Sequence, residues 1–441
     1  MTMSSALSAG VSGLSANAMR LATISDNIAN SSTYGYKRVE TEFDAMVLIK
    51  GSSTGMYSAG GVRASSHRII DQNGSLIGTS NPLDIAISGR GMLPVTTAVA
   101  LDNKMSDLPM LMTRTGSFRP DASGLLKTES GLVLMGWAAN SDGSIPLKPR
   151  DTIAGLQPIQ IDKNQTASDP TRNIFLSMNL PASETRDTAS GEPINMSVEY
   201  FGNLGTSETL TLTFTPTLAT APGLSNTWTV EVRDSAGNPP EDVIEGFEII
   251  FDDAAGTAGT IKEVNDPSGG THANYDAATG KLTFDVAGGP MALEIGKING
   301  MSGMRQLSSS FSTTNVTKDG SPVGNLASVE IDSNGLIRAT YDTGFMKVLY
   351  QVPLADVPNP NGLIALDDQT FKISPTSGSF FLWDAGDGPT GEVVGYAREE
   401  STTDVADELT NLIVTQRAYS SNAKVIQTVD EMLQETTNIK R

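Results

Sequence analysis

The side chains that could do chemistry in this chain are serines, two histidines and many carboxylates, and their spacing offers little. His67 and His272 are the only histidines and lie far apart, so no imidazole cluster exists to hold a zinc-type metal. Gly51-Ser52-Ser53-Thr54-Gly55 has the G-x-S-x-G spacing of a nucleophile elbow. That elbow needs a strand before it and a helix after it, and here it falls in a glycine-rich loop. Ser421 and Lys424 have S-x-x-K spacing inside a heptad-patterned segment, where they serve a helix. Gly89-Arg90-Gly91 lacks the third glycine of a dinucleotide loop, and no G-x-x-x-x-G-K-[ST] occurs. Carboxylates are abundant, yet nothing singles out a pair for acid–base work or calcium binding, and solvated loop acids account for them. Trp137, Trp228 and Trp383 read as core or interface residues. With no cysteine, disulfides, thiolate metal sites and thiol nucleophiles are excluded. The expectation is a protein that is not an enzyme and carries no metal and no cofactor.

Composition points the same way. The net charge is −20 over 441 residues, the wrong sign for binding nucleic-acid phosphates or anionic lipid by charge. A charged share of 18% is low and the 43 glycines are many, which suits short strands joined by turns. The length allows two to four domains. No apolar run reaches the 18 residues of a membrane span. The N-terminus lacks a basic segment and its apolar residues are diluted by serine and glycine, so export through a cleaved leader is not expected.

What must position these residues is a pair of helices at the chain's two ends. Leu7, Leu14, Leu21 and Ile28 recur every seven residues, and Arg20 is the only charge among the first 25. From Asp404 onward there is no Gly or Pro. Val405, Leu412, Tyr419, Ile426 and Leu433 repeat at the same interval, with Leu409, Gln416 and Ala423 between them, the three-and-four spacing of a coiled coil. Asp404, Asp407 and Glu408 at the start and Lys440 and Arg441 at the end complement a helix dipole. The two segments are expected to pair, through an assembly seam of Leu7, Leu14, Leu21, Ile28, Val405, Leu409, Leu412, Tyr419, Ile426 and Leu433. Gly10 and Gly13 each cost about 1 kcal/mol in a helix interior, so the ends are expected to fold on assembly.

Between the ends the pattern turns to strands. Leu111–Trp137 reads as two hairpins, and Asp121-x-x-Gly124-Leu125 returns as Asp332-x-x-Gly335-Leu336 beyond an insertion. Inside the insertion, Glu208–Leu218 and Asn226–Asp234 alternate at period two, predicting an antiparallel sandwich or barrel. The fold class expected is mixed and mainly β: nested sandwich- or barrel-like domains, with N- and C-terminal α-helices pairing as a coiled-coil-like domain. The expected divisions are 1–28 with 404–441 as the terminal helical domain, 29–75 with 391–403 as a connector, 76–155 with 312–390 as an inner β domain, and 156–311 as an inserted outer β domain.

Five stretches carry a family resemblance: Leu7–Arg38, Asn81–Val95, Thr113–Trp137, Asn359–Phe371 and Glu408–Glu435. The chain resembles the bacterial flagellar rod–hook family, and its motif residues fall at Asn27, Ile28, Ala29, Asn30, Thr33, Gly35 and Tyr36, and at Gln416, Arg417, Ala418 and Tyr419. Length and the large insertion favour the hook branch over the shorter rod members. The resemblance implies a structural subunit exported without a cleaved signal peptide by the flagellar type III apparatus. It would polymerise under a hook cap into a curved, flexible extracellular tube that passes torque from rod to filament. Implied partners are other copies of itself, rod and hook–filament junction proteins, the cap and the export apparatus, with no nucleic acid and no membrane insertion. Phe43 and Val47 resemble an export-gate signal. The alternative within the family is a distal-rod-like axial protein. From other classes, a secreted β-rich adhesin or carbohydrate-binding protein would leave the terminal heptads unexplained, and a glycan-active enzyme would need a carboxylate pair.

Overall fold

The computed structural model describes residues 3–46, 59–102, 108–140, 143–162, 166–237 and 242–439. The chain is mainly β, with long helices at both ends that pack together. It divides into two compact units, Met1–Lys163 with Ser328–Ala339 and Met346–Arg441, and Asn164–Ala327 with Thr340–Phe345. Pairing of Gln157–Pro158 with Met135–Gly136 keeps the residues just after 155 in the first unit. Pairing of Ser312–Lys318 with Asn173–Pro181 keeps those just after 311 in the second.

In the first unit the helices are Met3–Ala29 and Val405–Ile439. Asp404 caps the second, its Oδ1 accepting the Ala406 N–H at 2.8 Å. The hairpin Val39–Ala45/Val62–Arg68 contacts the first helix and leads into the strands. A sheet of Met346–Gln351, Leu132–Ala138, Leu93–Thr97, Leu111–Thr113, Phe371–Lys372 and Ile364–Ala365 covers a core of Met112, Met135, Trp137, Phe371 and Leu382.

The echoed Asp-x-x-Gly-Leu turns share one geometry. Asp121 Oδ1 accepts the N–H groups of Ser123 and Leu125 at 2.8 and 3.0 Å. Asp332 Oδ1 accepts those of Asn334 and Leu336 at 3.0 and 2.9 Å. Each carboxylate also meets a cation six residues on, Lys127 at 3.0 Å and Arg338 at 2.8 Å. These bonds, the Ser123 hydroxyl foremost, hold the Asp121 carboxyl well below the usual carboxylate range. Gly124 and Gly335 sit at φ +84° and +75°, and a Cβ on either would lie 2.4 Å from a carbonyl oxygen, of Ile161 or Val352. Gly124→Ala and Gly335→Ala should each cost at least about 1–2 kcal/mol for the left-handed backbone alone, read as a lowered melting temperature of the first unit. Unchanged melting in either would mean the turn relaxes.

The second unit is a sandwich. One sheet is antiparallel, ordered Ile194–Phe201, Ser207–Pro216, Thr227–Asp234, Val243–Phe251 and Ile261–Asn265. Its alternate residues, among them Leu212, Phe214, Trp228, Val230 and Phe247, are buried against Leu176, Met178, Leu282 and Leu293 of the other sheet. That other sheet departs from the antiparallel expectation, because Asn173–Pro181 runs parallel to both Gly289–Glu294 and Arg305–Leu307. Period-two alternation sets which face is buried and carries no information on strand direction.

Candidate assembly interface

The two terminal helices meet where one of them has no side chain. A Cβ on Gly10 would lie 3.0 Å from Ile426 Cγ1, and one on Gly13 2.9 Å from Asn422 Nδ2. Asn17 Nδ2 folds back onto the Gly13 carbonyl at 2.7 Å. Gly10, Gly13, Ala16, Asn17, Ile24 and Asn27 are the buried line of the first helix, and Glu408, Thr415 and Val429 that of the second. Of the expected seam, Ile426 lies in this contact against Gly10, and Leu7, Leu14, Leu21, Ile28 and Leu412 are half-buried beside the line. Val405, Leu409, Tyr419 and Leu433 are exposed, Leu409 by 48%. The heptad leucines therefore flank the contact made within one chain. The physical reason is close approach: glycines let the backbones come together along their own line, which turns the bulkier apolar row outward. Ile413, Val414, Val425 and Met432 extend the exposed apolar surface of the C-terminal helix.

At the base of the helix pair the motif residues form one polar knot. Asn27 Nδ2 donates to the Val39 carbonyl at 2.8 Å and to Glu408 Oε1 at 2.9 Å. Its Oδ1 accepts the Val39 N–H at 2.8 Å and the Tyr36 hydroxyl at 3.1 Å. All four hydrogen bonds an amide side chain can make are thus used. The single Tyr36 hydroxyl proton is shared between Asn27 and Asp26 Oδ2, the latter at 2.9 Å, and burial with the Asp26 bond pushes the Tyr36 pKa up to about 12. Asn30 Nδ2 donates to the Asp26 carbonyl at 2.9 Å, and Thr33 Oγ1 to Asn30 Oδ1 at 3.2 Å. Gly35, at φ +73°, turns the chain back into the connector. Ala29, Gln416, Arg417 and Tyr419 are exposed and Ala418 half-buried. Phe43 is exposed with the Arg20 guanidinium 5.7 Å from its ring centroid, and Val47 lies outside the described residues.

By sequence Glu408 is only a first-turn acid. It is 5% exposed, and burial raises its pKa above 4.5, opposed by the Asn27 hydrogen bond. A folded-state pKa above the unfolded value means the folded form binds the proton more tightly. That contribution to stability is full below about pH 4.5 and is lost as pH rises through the raised pKa. Helix pairing should therefore weaken from pH 4 toward pH 7 in the parent chain, and Glu408→Gln should flatten this dependence. Thermal melts followed by helical circular dichroism at both pH values check it, and an equal slope in parent and variant would contradict it.

The other chemical candidates are scattered. Among the described residues no group of three or more His, Asp or Glu is placed to hold a metal, and no helix is long and apolar enough to cross a membrane. His67 sits across from Glu40 in the hairpin, while His272 is buried in the second unit against Glu245 at 3.2 Å. Ser421 Oγ donates to the Arg417 carbonyl on the C-terminal helix. Arg90 pairs with Asp356 at 2.6 Å, and the Gly51–Gly55 stretch lies outside the described residues. Trp137 and Trp228 are core residues.

Three family descriptions match the sequence: "Flagella basal body rod protein" over residues 7–37, "Flagellar basal body protein FlaE D2 domain" over 155–321, and "Flagellar basal body rod FlgEFG protein C-terminal" over 395–439. The first and last cover the helix pair and its knot. The flagellar hook protein FlgE of Brucella suis is 32% identical, covering 98% of this chain and 98% of its own. That of Escherichia coli K12 is 28% identical, covering 99% and 100%. The crystal structure of Helicobacter pylori flagellar hook protein FlgE2 aligns over 74% of this chain and 99% of that one, with a TM-score of 0.45 and 14% identity. Similarity that runs the length of both chains, at the identity seen with the Brucella protein, means that this chain belongs to the flagellar hook protein family.

Proposed function

We propose that this chain is the structural subunit of an extracellular flagellar hook, and that it polymerises through the outward apolar rows of its terminal helices. The observation that carries this reading is the exposure of Val405, Leu409, Ile413, Val414, Tyr419, Val425, Met432 and Leu433 on one 35-residue helix. These side chains are spread round much of the helix, and apolar surface of this extent on an isolated subunit is surface to be covered, with further copies of the same chain as the natural cover. The helix pair and its knot form the assembling part, residues 29–75 with 391–403 the connector, and the remaining strands the outer body. Export by the type III apparatus, with Phe43 and Val47 as a gate signal, and contacts with rod, junction and cap proteins complete the proposal. A curved tube of such subunits would transmit torque. Electron microscopy of the concentrated protein tests this: ordered tubes or helical polymers are expected, while discrete particles at all concentrations would favour the adhesin reading.

A further inference from the structure

Where the connector meets the strands, three charged side chains come together out of solvent. Lys37 Nζ donates to Glu399 Oε1 at 2.7 Å and Arg114 Nε to Glu399 Oε2 at 3.1 Å. The Lys37 and Glu399 side chains are 0% exposed and Arg114 is 3% exposed. Every other Arg114 donor is also used, on the carbonyls of Gly89, Gly91 and Ile87 at 2.8, 2.7 and 3.2 Å and on Asn73 Oδ1 at 2.8 Å. Glu399 Oε1 accepts the Gly74 N–H at 2.7 Å as well. One carboxylate thus serves two cations. Burial lowers the Lys37 pKa, the Arg114 charge adds to that, and Glu399 alone among the three residues works against it. Without Glu399, two positive charges would face each other in a site that water does not reach, which is far more costly than a paired charge.

The partners are also remote in sequence. Glu399 stands 362 residues from Lys37 and 285 from Arg114. The same residue pins the connector through its backbone: its carbonyl accepts the Gly35 N–H at 2.8 Å, and Leu76 pairs with it in the two-stranded sheet Leu76–Gly78/Ala397–Glu399. Side-chain charge and backbone bonds arrive on one short strand.

We infer that Glu399 is a closing lock on this neck. Repulsion between Lys37 and Arg114 keeps the neck open until strand Ala397–Glu399 delivers its carboxylate. The terminal helices are therefore fixed to the strands only once the C-terminal segment has docked, and an incomplete chain presents no ordered base for the helix pair.

Hydrogen–deuterium exchange of the full chain tests the lock. Glu399→Gln keeps the shape and one acceptor oxygen, removes the charge and turns an N–H2 toward a donor that the carboxylate had satisfied. Exchange at residues 35–40 and 70–75 should accelerate by at least roughly 100-fold, the low end of the scale set by removing one partner of a buried ion pair, while strand Thr227–Asp234 in the second unit keeps its rate. Adding Lys37→Met removes one of the two facing cations and should slow neck exchange again by roughly tenfold. Parental exchange in Glu399→Gln, or no recovery in the double variant, would overturn the lock. Should Glu399→Gln unfold the whole first unit, the double variant still decides: recovered protection supports repulsion as the cause, and its absence refutes it.

Discussion

Leu409→Asp should abolish polymerisation while leaving the melting of the free subunit unchanged. Leu409 is 48% exposed in the isolated chain, so a carboxylate there meets water and costs the monomer little. In a polymer that buries the outward row, the same carboxylate would be unpaired in an apolar layer. It would cost several kcal/mol per subunit if it stayed ionised, and every subunit would bear that cost. The critical concentration should rise by at least about a thousandfold, since each 1.4 kcal/mol is tenfold. Sedimentation of the two proteins over a concentration series checks it. Normal polymer from the variant would show that Leu409 faces no packed neighbour, and a lowered monomer melting point would place it in the subunit's own fold.

Gly13→Leu acts on the other terminal helix, on the face where the two helices meet. The added Cβ alone would come within 2.9 Å of Asn422 Nδ2, and the rest of the leucine has nowhere to go without separating the helices. Overpacking of this kind costs about 1–3 kcal/mol, and the helix contact it strains is built largely of small and polar residues, with Ile24, Ile426 and Val429 as its larger apolar members. The expected result is loss of the helix pairing in the free subunit and, with it, loss of polymer. Exchange protection of residues 10–24 should fall to that of an open helix. Gly13→Ala should be milder, because the Asn422 side chain can swing aside for a single methyl. A Gly13→Leu chain with full protection and normal polymer would mean the helices do not rely on this approach.

The sequence carried the architecture better than the contacts. Leucines at a seven-residue interval at both ends, with no Gly or Pro after Asp404, were sufficient to place two helices and pair them. The line along which they touch could not be read, because hydrophobic periodicity finds the apolar row, while the backbones meet at Gly10 and Gly13, where periodicity sees only a helix weakness. The Asp121 and Asp332 turns were readable because an Asp carboxylate and a left-handed Gly three residues on specify one local geometry with no help from elsewhere. The parallel pairing of Asn173–Pro181 was not, since it depends on partners more than 100 residues distant. The same limit hides the neck: Lys37, Arg114 and Glu399 look like ordinary surface charges until the fold brings them together. Asn27 and Tyr36 stood out through family resemblance alone, and the knot they form with Glu408 supplies its physical reason.

In the polymer the exposed apolar surface of the C-terminal helix is expected to be covered by other copies of the chain. The absence of native cysteine allows a clean test, in which Leu409→Cys is labelled with a maleimide, first as dispersed subunit and then as polymer. Labelling of the subunit should be rapid and that of the polymer at least about a hundredfold slower, the protection of a site that opens at a cost near 3 kcal/mol. Equal labelling rates in the two states would contradict it.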